Sequence, residues 1–424
     1  MCAGTTWAQG EGPAFNMPAG LVSDGGLNLF VVDEGLDAVV QVDPTSGNRS
    51  IVSDNNMGSN GVLFSRPVGI ALQNGSEAFI VDRNLDAVLS VDLSTGNRQL
   101  LSGCPIVTDP CSAPLVGGGP GFGDPVGIAI LNPTSLLVTD MGNDRDALIQ
   151  VDRATGNRTI ISSPTVGSGP AFITPLGVTV SALGDVYVID EALDAVVGVD
   201  PITGARQIVS GCPEGDDPCP VPLVGSGTAF LRPASIASEV NNSLVVTDLE
   251  LGAVVRIDTA TGNRMIVSDA NTGLGPVFFN PVGIAVDSSG MIFVVDASRR
   301  AVFRVDPVSG DRTIVSKQTS LTLSPPDGVY TSGQNFDLAI IIDEVGTVSN
   351  LSVMLDGNDV TGQFMSCQTE VALRDGGMAL QCPDANLVFN LQPGRRLFRV
   401  GLSLDGVSPT RLSGAVMLDI LATQ

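Results

Sequence analysis

The sequence predicts an all-β chain made of a repeated unit, and three observations carry that expectation. The first is a phrase at 29–53, LFVVDEGLDAVVQVDPTSGNRSIVS, that returns five more times in variants such as FIVDRNLDAVLSVDLSTGNRQLLS and IFVVDASRRAVFRVDPVSGDRTIVS. The second is its spacing: one recurrent Asp per copy (Asp33, Asp82, Asp140, Asp190, Asp248 and Asp296) falls at intervals of 49, 58, 50, 58 and 48 residues. The third is composition. With 43% hydrophobic residues but only 4% aromatic, and 50 glycines and 27 prolines as punctuation, the apolar mass is Val, Ile, Leu and Ala. Such a mixture gives many short strands joined by tight turns.

Each unit opens on a Phe three residues before a Pro: Phe15/Pro18, Phe64/Pro67, Phe122/Pro125, Phe172/Pro175, Phe230/Pro233 and Phe278/Pro281. A short apolar strand such as VGIAL or LGVTV follows the Pro. The next strand, LFVVD in the first unit, is apolar without alternation, as expected where neighbours cover both faces. An acidic corner, a third strand, a turn and a fourth strand complete the unit. A period near 50 with four strands per unit is the signature of a propeller blade, so six units predict six blades. The single Phe is expected to wedge between blades. The turn D-x-x-[ST]-G-[NDA]-R places Gly where positive φ is needed, and its Asp and Arg are expected to pair across the surface for about 0–1 kcal/mol.

The two longer intervals contain GCPIVTDPCSAPLVG (103–117) and GCPEGDDPCPVPLVG (211–225), both between the fourth strand of one unit and the first of the next. Bridges Cys104–Cys111 and Cys212–Cys219 would each close a loop of eight residues, worth about 2.5 kcal/mol by loop entropy. The plain reading is a stiffened surface knob; the functional one is a shaped binding protrusion. From Lys317 the repeat stops, and short segments with Pro-Pro and Asp-Gly turns suggest an immunoglobulin-like β-sandwich bridged by Cys367–Cys382. The expected organisation is an N-terminal segment at 1–17, a propeller at 18–316 and the sandwich at 317–424.

Charge and residue usage remove several classes of function. The formal charge is −24, and phosphate repulsion argues against nucleic acid while favouring cations or basic protein patches. There are 36 Asp against 9 Glu, which points to turns, where the short carboxylate accepts nearby backbone N–H groups. Histidine is absent, which removes His-based triads, imidazole metal sites and His general bases. The cysteine spacings match no zinc or haem motif, so disulfides in an oxidising compartment, and hence export, are expected. Cys2 is left over, either a free thiol or a lipidation site. No apolar run approaches the ~20 residues of a transmembrane helix.

The segment PVGIAVDSSGMIFVVD (281–296) is similar to the NHL repeat, and the set resembles six-bladed NHL and gluconolactonase-like propellers over about residues 10–316. That architecture hosts lactonases, lyases and binding modules alike. The resemblance implies metal-ligating Asn or Asp side chains just before the inner-strand Gly. Here those positions are Ala19, Val68, Val126, Leu176, Ala234 and Val282, none of which can ligate. For the family's acidic ligand near the first blade only Glu11 or Glu34 stand nearby. Related lyases rely on His, and quinone-dependent propellers on repeated Trp; this chain has no His and only Trp7.

The corners between the second and third strands and the connections between units are expected to share one face. It would carry Asp33, Asp37, Asp82, Asp86, Asp190, Asp194, Asp248 and Asp296, be acidic over the first five units and turn basic at Arg299 and Arg300. Clustered carboxylates suit hard cations, and Asp140, Asp144 and Asp146 in the lengthened third corner are the metal candidates, for a structural calcium ion. A simpler role for each recurrent Asp is to close its corner by accepting backbone N–H bonds. The reading that follows is an exported, non-catalytic binding or surface-assembly protein that recognises a protein or surface component through this face. Its alternatives are a metal-dependent lactonase or esterase, and a subunit of an extracellular polymer in which residues 1–17 complete a neighbour's sheet.

Overall fold

The computed structural model describes residues 10–317, apart from 59–61, 108–110, 143–145, 214–218 and 220–221, together with the backbone of further strands beyond 317. Within 10–317 lie six four-stranded antiparallel sheets, each pairing its strands in chain order, and no helix occurs among the described residues. This is a six-bladed β-propeller. Every blade is cut at the same residue types. Inner strands start at Pro (Pro18–Ser23, Pro67–Gln73, Pro125–Asn132, Pro175–Val180, Pro233–Ser238, Pro281–Val286). Second strands end at Asp (Leu29–Asp33, Glu77–Asp82, Ser135–Asp140, Val186–Asp190, Leu244–Asp248, Ile292–Asp296), and third strands start at Ala (Ala38–Val42, Ala87–Asp92, Ala147–Asp152, Ala195–Val199, Ala253–Ile257, Ala301–Val305). Outer strands start at Arg (Arg49–Ser53, Arg98–Gly103, Arg158–Ser162, Arg206–Gly211, Arg264–Ser268, Arg312–Lys317).

The physical reasons are local. Pro has no N–H to lose at the head of a strand, and the second strands are buried along their length, half-buried Glu77 at the head of the second one excepted, because a blade covers each side. The cores therefore lie between blades. Phe30, Val32 and Val39 of blade 1 pack with Phe64, Ile80 and Leu89 of blade 2, and the seam from blade 6 to blade 1 is built alike, from Phe293, Val295 and Val302 against Leu21, Val31 and Val40. The recurrent Phe is the expected wedge: Phe15, Phe64, Phe172 and Phe230 are each 2% exposed. Burying one such side chain contributes about 3 kcal/mol.

Inner strands approach one another closely because most carry Gly at the third position. A Cβ on Gly283 would lie 2.3 Å from the Ala19 carbonyl oxygen, so the sixth inner strand meets the first only without a side chain there. No strand is exchanged to close the ring: blade 6 keeps its own outer strand, Arg312–Lys317. The N-terminal boundary differs from the sequence-based one at 18. Glu11 O accepts from Arg49 N (2.6 Å), Pro13 O from Arg49 Nε (2.6 Å), and the compact unit runs from Gly10 to Lys317. Residues 10–17 thus form the connection into blade 1 that other blades receive from their predecessor.

Arg at the head of each outer strand corrects the expected surface pair with the turn Asp. These side chains are 0–7% exposed and cross to the preceding blade. Arg98 donates from Nη1 to Ser53 Oγ (2.7 Å), Asp54 O (2.5 Å) and Met57 O (3.0 Å), and from Nε to Val62 O (3.1 Å). Its guanidinium lies 4.6 Å from the Phe64 ring centre. Ser53 Oγ in turn donates to Gly96 O at 2.7 Å. The same Arg, Phe and Ser recur at every seam, including the closing one, where Arg49 stacks on Phe15 and donates to Ser316 Oγ (2.6 Å). Burial pushes the Arg49 guanidinium down to about 10, still a cation at neutral pH. The turn Asp stays on its own turn: Asp43 accepts from Thr45 N at 2.7 Å and from Ser46 Oγ at 2.8 Å.

Beyond 317 the described strands form two sheets. One orders Leu321–Ser324, Ala339–Ile342, Met378–Gln381 and Glu370–Ala372; the other orders Gly328–Thr331, Arg411–Leu421, Gly394–Asp405, Thr347–Leu355 and Asn358–Asp359. Cys2 and the pair Cys367–Cys382 lie outside the described residues.

Candidate functional site

The expected face exists, and its recurrent carboxylates are what assemble it. Asp33 accepts from the N–H groups of Asn16 (2.8 Å) and Met17 (2.9 Å), which lead into the inner strand, and of Gly35 (3.0 Å) and Leu36 (3.1 Å) in its own corner. Asp82, Asp190, Asp248 and Asp296 repeat the arrangement, and Asp140 does so with Gly123, Asp124 and Gly142. One carboxylate thus ties the corner to the incoming connection on the same face. All six are 0% exposed, so they lie beneath the face and are not presented to a partner. That corrects their assignment as surface contacts. Burial raises Asp82 and Asp190 above the ordinary carboxylate range, against the pull of these N–H bonds.

Asp37, Asp86, Asp146 and Asp194 close the corners at positive φ (48°, 49°, 37° and 47°), where Asp is tolerated better than most residues. They are half-buried; burial first, then Asp33, raises Asp37. Blade 5 has Gly252 at this position and blade 6 has Arg300, φ 51°. Of the candidate metal ligands, Asp140 is occupied by N–H donors, Asp146 closes its corner, and Asp144 lies outside the described residues. Among the described residues no group of three or more His, Cys, Asp or Glu could hold a metal ion.

Both knobs sit on this face, closed by Cys104–Cys111 and Cys212–Cys219. Each stem is a bridge between strand end and loop, Gly103–Val116 and Gly211–Val224. Cys104 N donates to Asp86 O (3.3 Å) and Cys212 N to Asp194 O (3.4 Å), which fixes each knob beside the corner of its own blade.

At the centre, a cavity of about 400 Å³ opens on the same face, ringed by Ala19, Val68, Val126, Leu176, Ala234 and Val282. Around it the face is not uniformly acidic, contrary to expectation. Arg66 pairs with Glu34 (2.7 Å), Arg232 with Glu191 (2.6 Å), and Arg83 with Asp124, each joining neighbouring blades. Met141 and Leu249 occupy two of the remaining rim positions.

Farther out the six blades differ at the residue after the recurrent Phe. Blades 1 to 3 carry Asn16, Ser65 and Gly123; blades 4 to 6 carry Ile173, Leu231 and Phe279, exposed by 46%, 44% and 40%. Three successive blades thus present an apolar side chain at one equivalent position. Sequence reasoning missed this arc, although alignment of the residues after each Phe shows it directly.

No protein-family model matches the chain, and no curated protein does. Solved structures do. An auxiliary nutrient binding protein from Bacteroides thetaiotaomicron is similar at 15% identity and a TM-score of 0.51, over 71% of this chain and 75% of that one. A protein of unknown function from the same organism matches at 13% and 0.51, over 71% and 72%. A gluconolactonase from Xanthomonas campestris matches at 11% and 0.47, over 73% and 88%. At these identities the likeness of the first two shows the fold alone, that of the propeller described above.

Proposed function

We propose that this chain is an exported, non-catalytic binding or surface-assembly protein that engages a protein partner through the face carrying the corners and knobs. The supporting observation is the exposed apolar arc of Ile173, Leu231 and Phe279, displayed on a face whose recurrent carboxylates are all consumed internally. Exposed apolar groups set among polar neighbours are what a recognition surface needs. The six ring positions of the central cavity carry hydrocarbon side chains only, so they offer a reacting carbonyl no ligand or acid. The two local disulfides agree with an oxidising, extracellular setting, and one similar solved structure is that of an auxiliary nutrient binding protein. The strands beyond 317 fit an immunoglobulin-like sandwich that docks or spaces the propeller.

The test is photo-crosslinking of the full-length protein in its native extracellular setting. A photoreactive residue at Leu231 should give a discrete adduct. One at Leu183, 75% exposed in the hairpin between inner and second strands at the other end of blade 4, should not. Equal adducts from both positions, or none from Leu231, would remove this reading.

A further inference from the structure

At the end of the ring opposite the corner face, two positions lie on the same side of each blade, one at the head of the second strand and one near the end of the third. Blade 1 has Asn28 and Gln41 there, which bond to each other (2.6 Å), and blade 3 has Ser135 and Gln150, which do the same (2.8 Å). Blades 5 and 6 carry Arg256 and Arg304 at the third-strand position. Only blades 2 and 4 combine an acid with a small residue, Glu77 with Ser90 and Asp185 with Gly198. Blade 2 completes its arrangement with a cation from the next blade. Arg153, just after the third strand of blade 3, donates from Nη2 to Glu77 (2.9 Å) and holds its guanidinium 4.5 Å from the Phe79 ring centre.

Blade 4 repeats the receiving half of that contact without the cation. Asp185 stands for Glu77 and Tyr187 for Phe79, in the same register: Phe79 lies opposite Ser90, and Tyr187 opposite Gly198. The blade 5 residue equivalent to Arg153 is uncharged Thr259, whose hydroxyl donates to Asn242 O (3.0 Å). Asp185 is exposed and has no ion-pair partner among the described residues. Beside it opens a cavity of about 440 Å³, lined by Asp185, Tyr187, Gly198, Asp200 and Gln207. The backbone does not require the glycine, because Gly198 is not at positive φ and a Cβ there would meet only the side chains of Val209 (3.0 Å) and Gln207 (3.6 Å). What glycine provides is room.

We propose that this cavity binds a small guanidino compound, its guanidinium held by Asp185 and the Tyr187 ring as Arg153 is held by Glu77 and Phe79. A carboxylate accepts two parallel N–H bonds from a guanidinium, and an aromatic face attracts the same cation, more strongly where water is excluded. The planar, weakly hydrated guanidinium suits both contacts better than an ammonium. The volume is that of a small-molecule site, and a chain of net charge −24 concentrates cations around itself. The site lies away from the corner face, so crosslinking from Leu231 does not bear on it.

The chain has two tyrosines, Tyr187 and Tyr330, so full-length protein labelled with 13C in its tyrosine rings reports on the site by NMR, with Tyr187→Phe assigning the signal. Butylguanidinium should shift the Tyr187 signal saturably. Asp185→Asn, at an exposed side chain, should weaken binding about tenfold, as expected for loss of a charged hydrogen-bond partner. Thr259→Arg gives blade 5 the cation of blade 3, so binding should be lost while the unfolding temperature does not fall. Gly198→Ser, the residue of blade 2, should keep binding, and Gly198→Gln, the residue of blades 1 and 3, should abolish it. Unchanged affinity in Asp185→Asn or Thr259→Arg would overturn the proposal, as would the absence of any Tyr187 shift. So would equally tight binding of butylammonium, or tighter binding of an arginine within a Gly and Ser peptide, which would make the occupant a polypeptide.

Discussion

The rim of the propeller and its corner face are made by the same repeat, yet they behave oppositely. At the rim each of the six units keeps Arg, Phe and Ser, and each trio does the same work, tying one blade to the next with a buried guanidinium. On the face the six units agree in what lies beneath the surface, the buried Asp, and diverge at the position after the recurrent Phe: Asn16, Ser65, Gly123, Ile173, Leu231 and Phe279. In a repeat protein recurrence marks construction, and departure from it marks where a partner could be told apart.

The comparison can be broken at the rim first. Arg98→Ala removes four hydrogen bonds from a charged donor and the Phe64 contact. It should cost about 4 kcal/mol, read as a shift in denaturant midpoint, whereas Arg304→Ala, an exposed arginine of the same blade architecture, should stay within about 0.5 kcal/mol. Comparable losses in both would show that the rim arginines are ordinary surface residues. Next is the buried Asp under the face. Asp82→Ala strands the N–H groups of Ser65, Arg66 and Leu85 and should cost about 3 kcal/mol. Opening one knob with Cys104→Ser/Cys111→Ser should cost about 2.5 kcal/mol by loop entropy; a larger loss would make the knob part of the rim's construction.

The pH dependence sharpens the same contrast. The turn carboxylates at the rim are held below their ordinary range by hydrogen bonds: first from Thr45 N–H for Asp43, the Ser94 hydroxyl for Asp92, the Thr155 hydroxyl for Asp152, Ile202 N–H for Asp200 and Ser309 N–H for Asp306. Their stabilisation is present above the ordinary value and lost as pH falls through the lowered ones. Asp82 and Asp190 under the face act in reverse: burial raises them, so their stabilisation is present at low pH and lost as pH rises through the raised values. Stability should therefore peak on the acid side of neutrality, at about pH 4–5, where self-repulsion of the acidic chain also fades. A thermal-unfolding series with its maximum at pH 7 or above would contradict this. The smallest effect belongs to the exposed arc: Leu231→Ser should change stability by no more than about 0.5 kcal/mol.

Much of the architecture was legible because it rests on short-range patterns. The six-fold phrase, the Pro-headed inner strands, the Phe wedges, both knob disulfides and the apolar ring at Ala19, Val68, Val126, Leu176, Ala234 and Val282 all appear as the residues announced them. The errors share one cause. Asp43 and Arg49 are near in sequence, and proximity suggested a pair; the outer strand carries the Arg side chain to the neighbouring blade instead, where Ser316 awaits it. The acidic face was likewise a sum over sequence that ignored burial, which removes the six recurrent carboxylates from the surface.

By itself the amino-acid sequence determined how many blades there are, how many strands each unit holds, and which side chains are repeated. Those follow from backbone chemistry within a few residues: Pro without its N–H, Gly at positive φ, a carboxylate closing its own turn. Only the tertiary structure decided which repeated charges are buried between blades, how the ring closes through Arg49 and Gly283, and which side chains remain on the corner face. Those outcomes depend on what a neighbouring blade covers, and the neighbour is about 50 residues away along the chain.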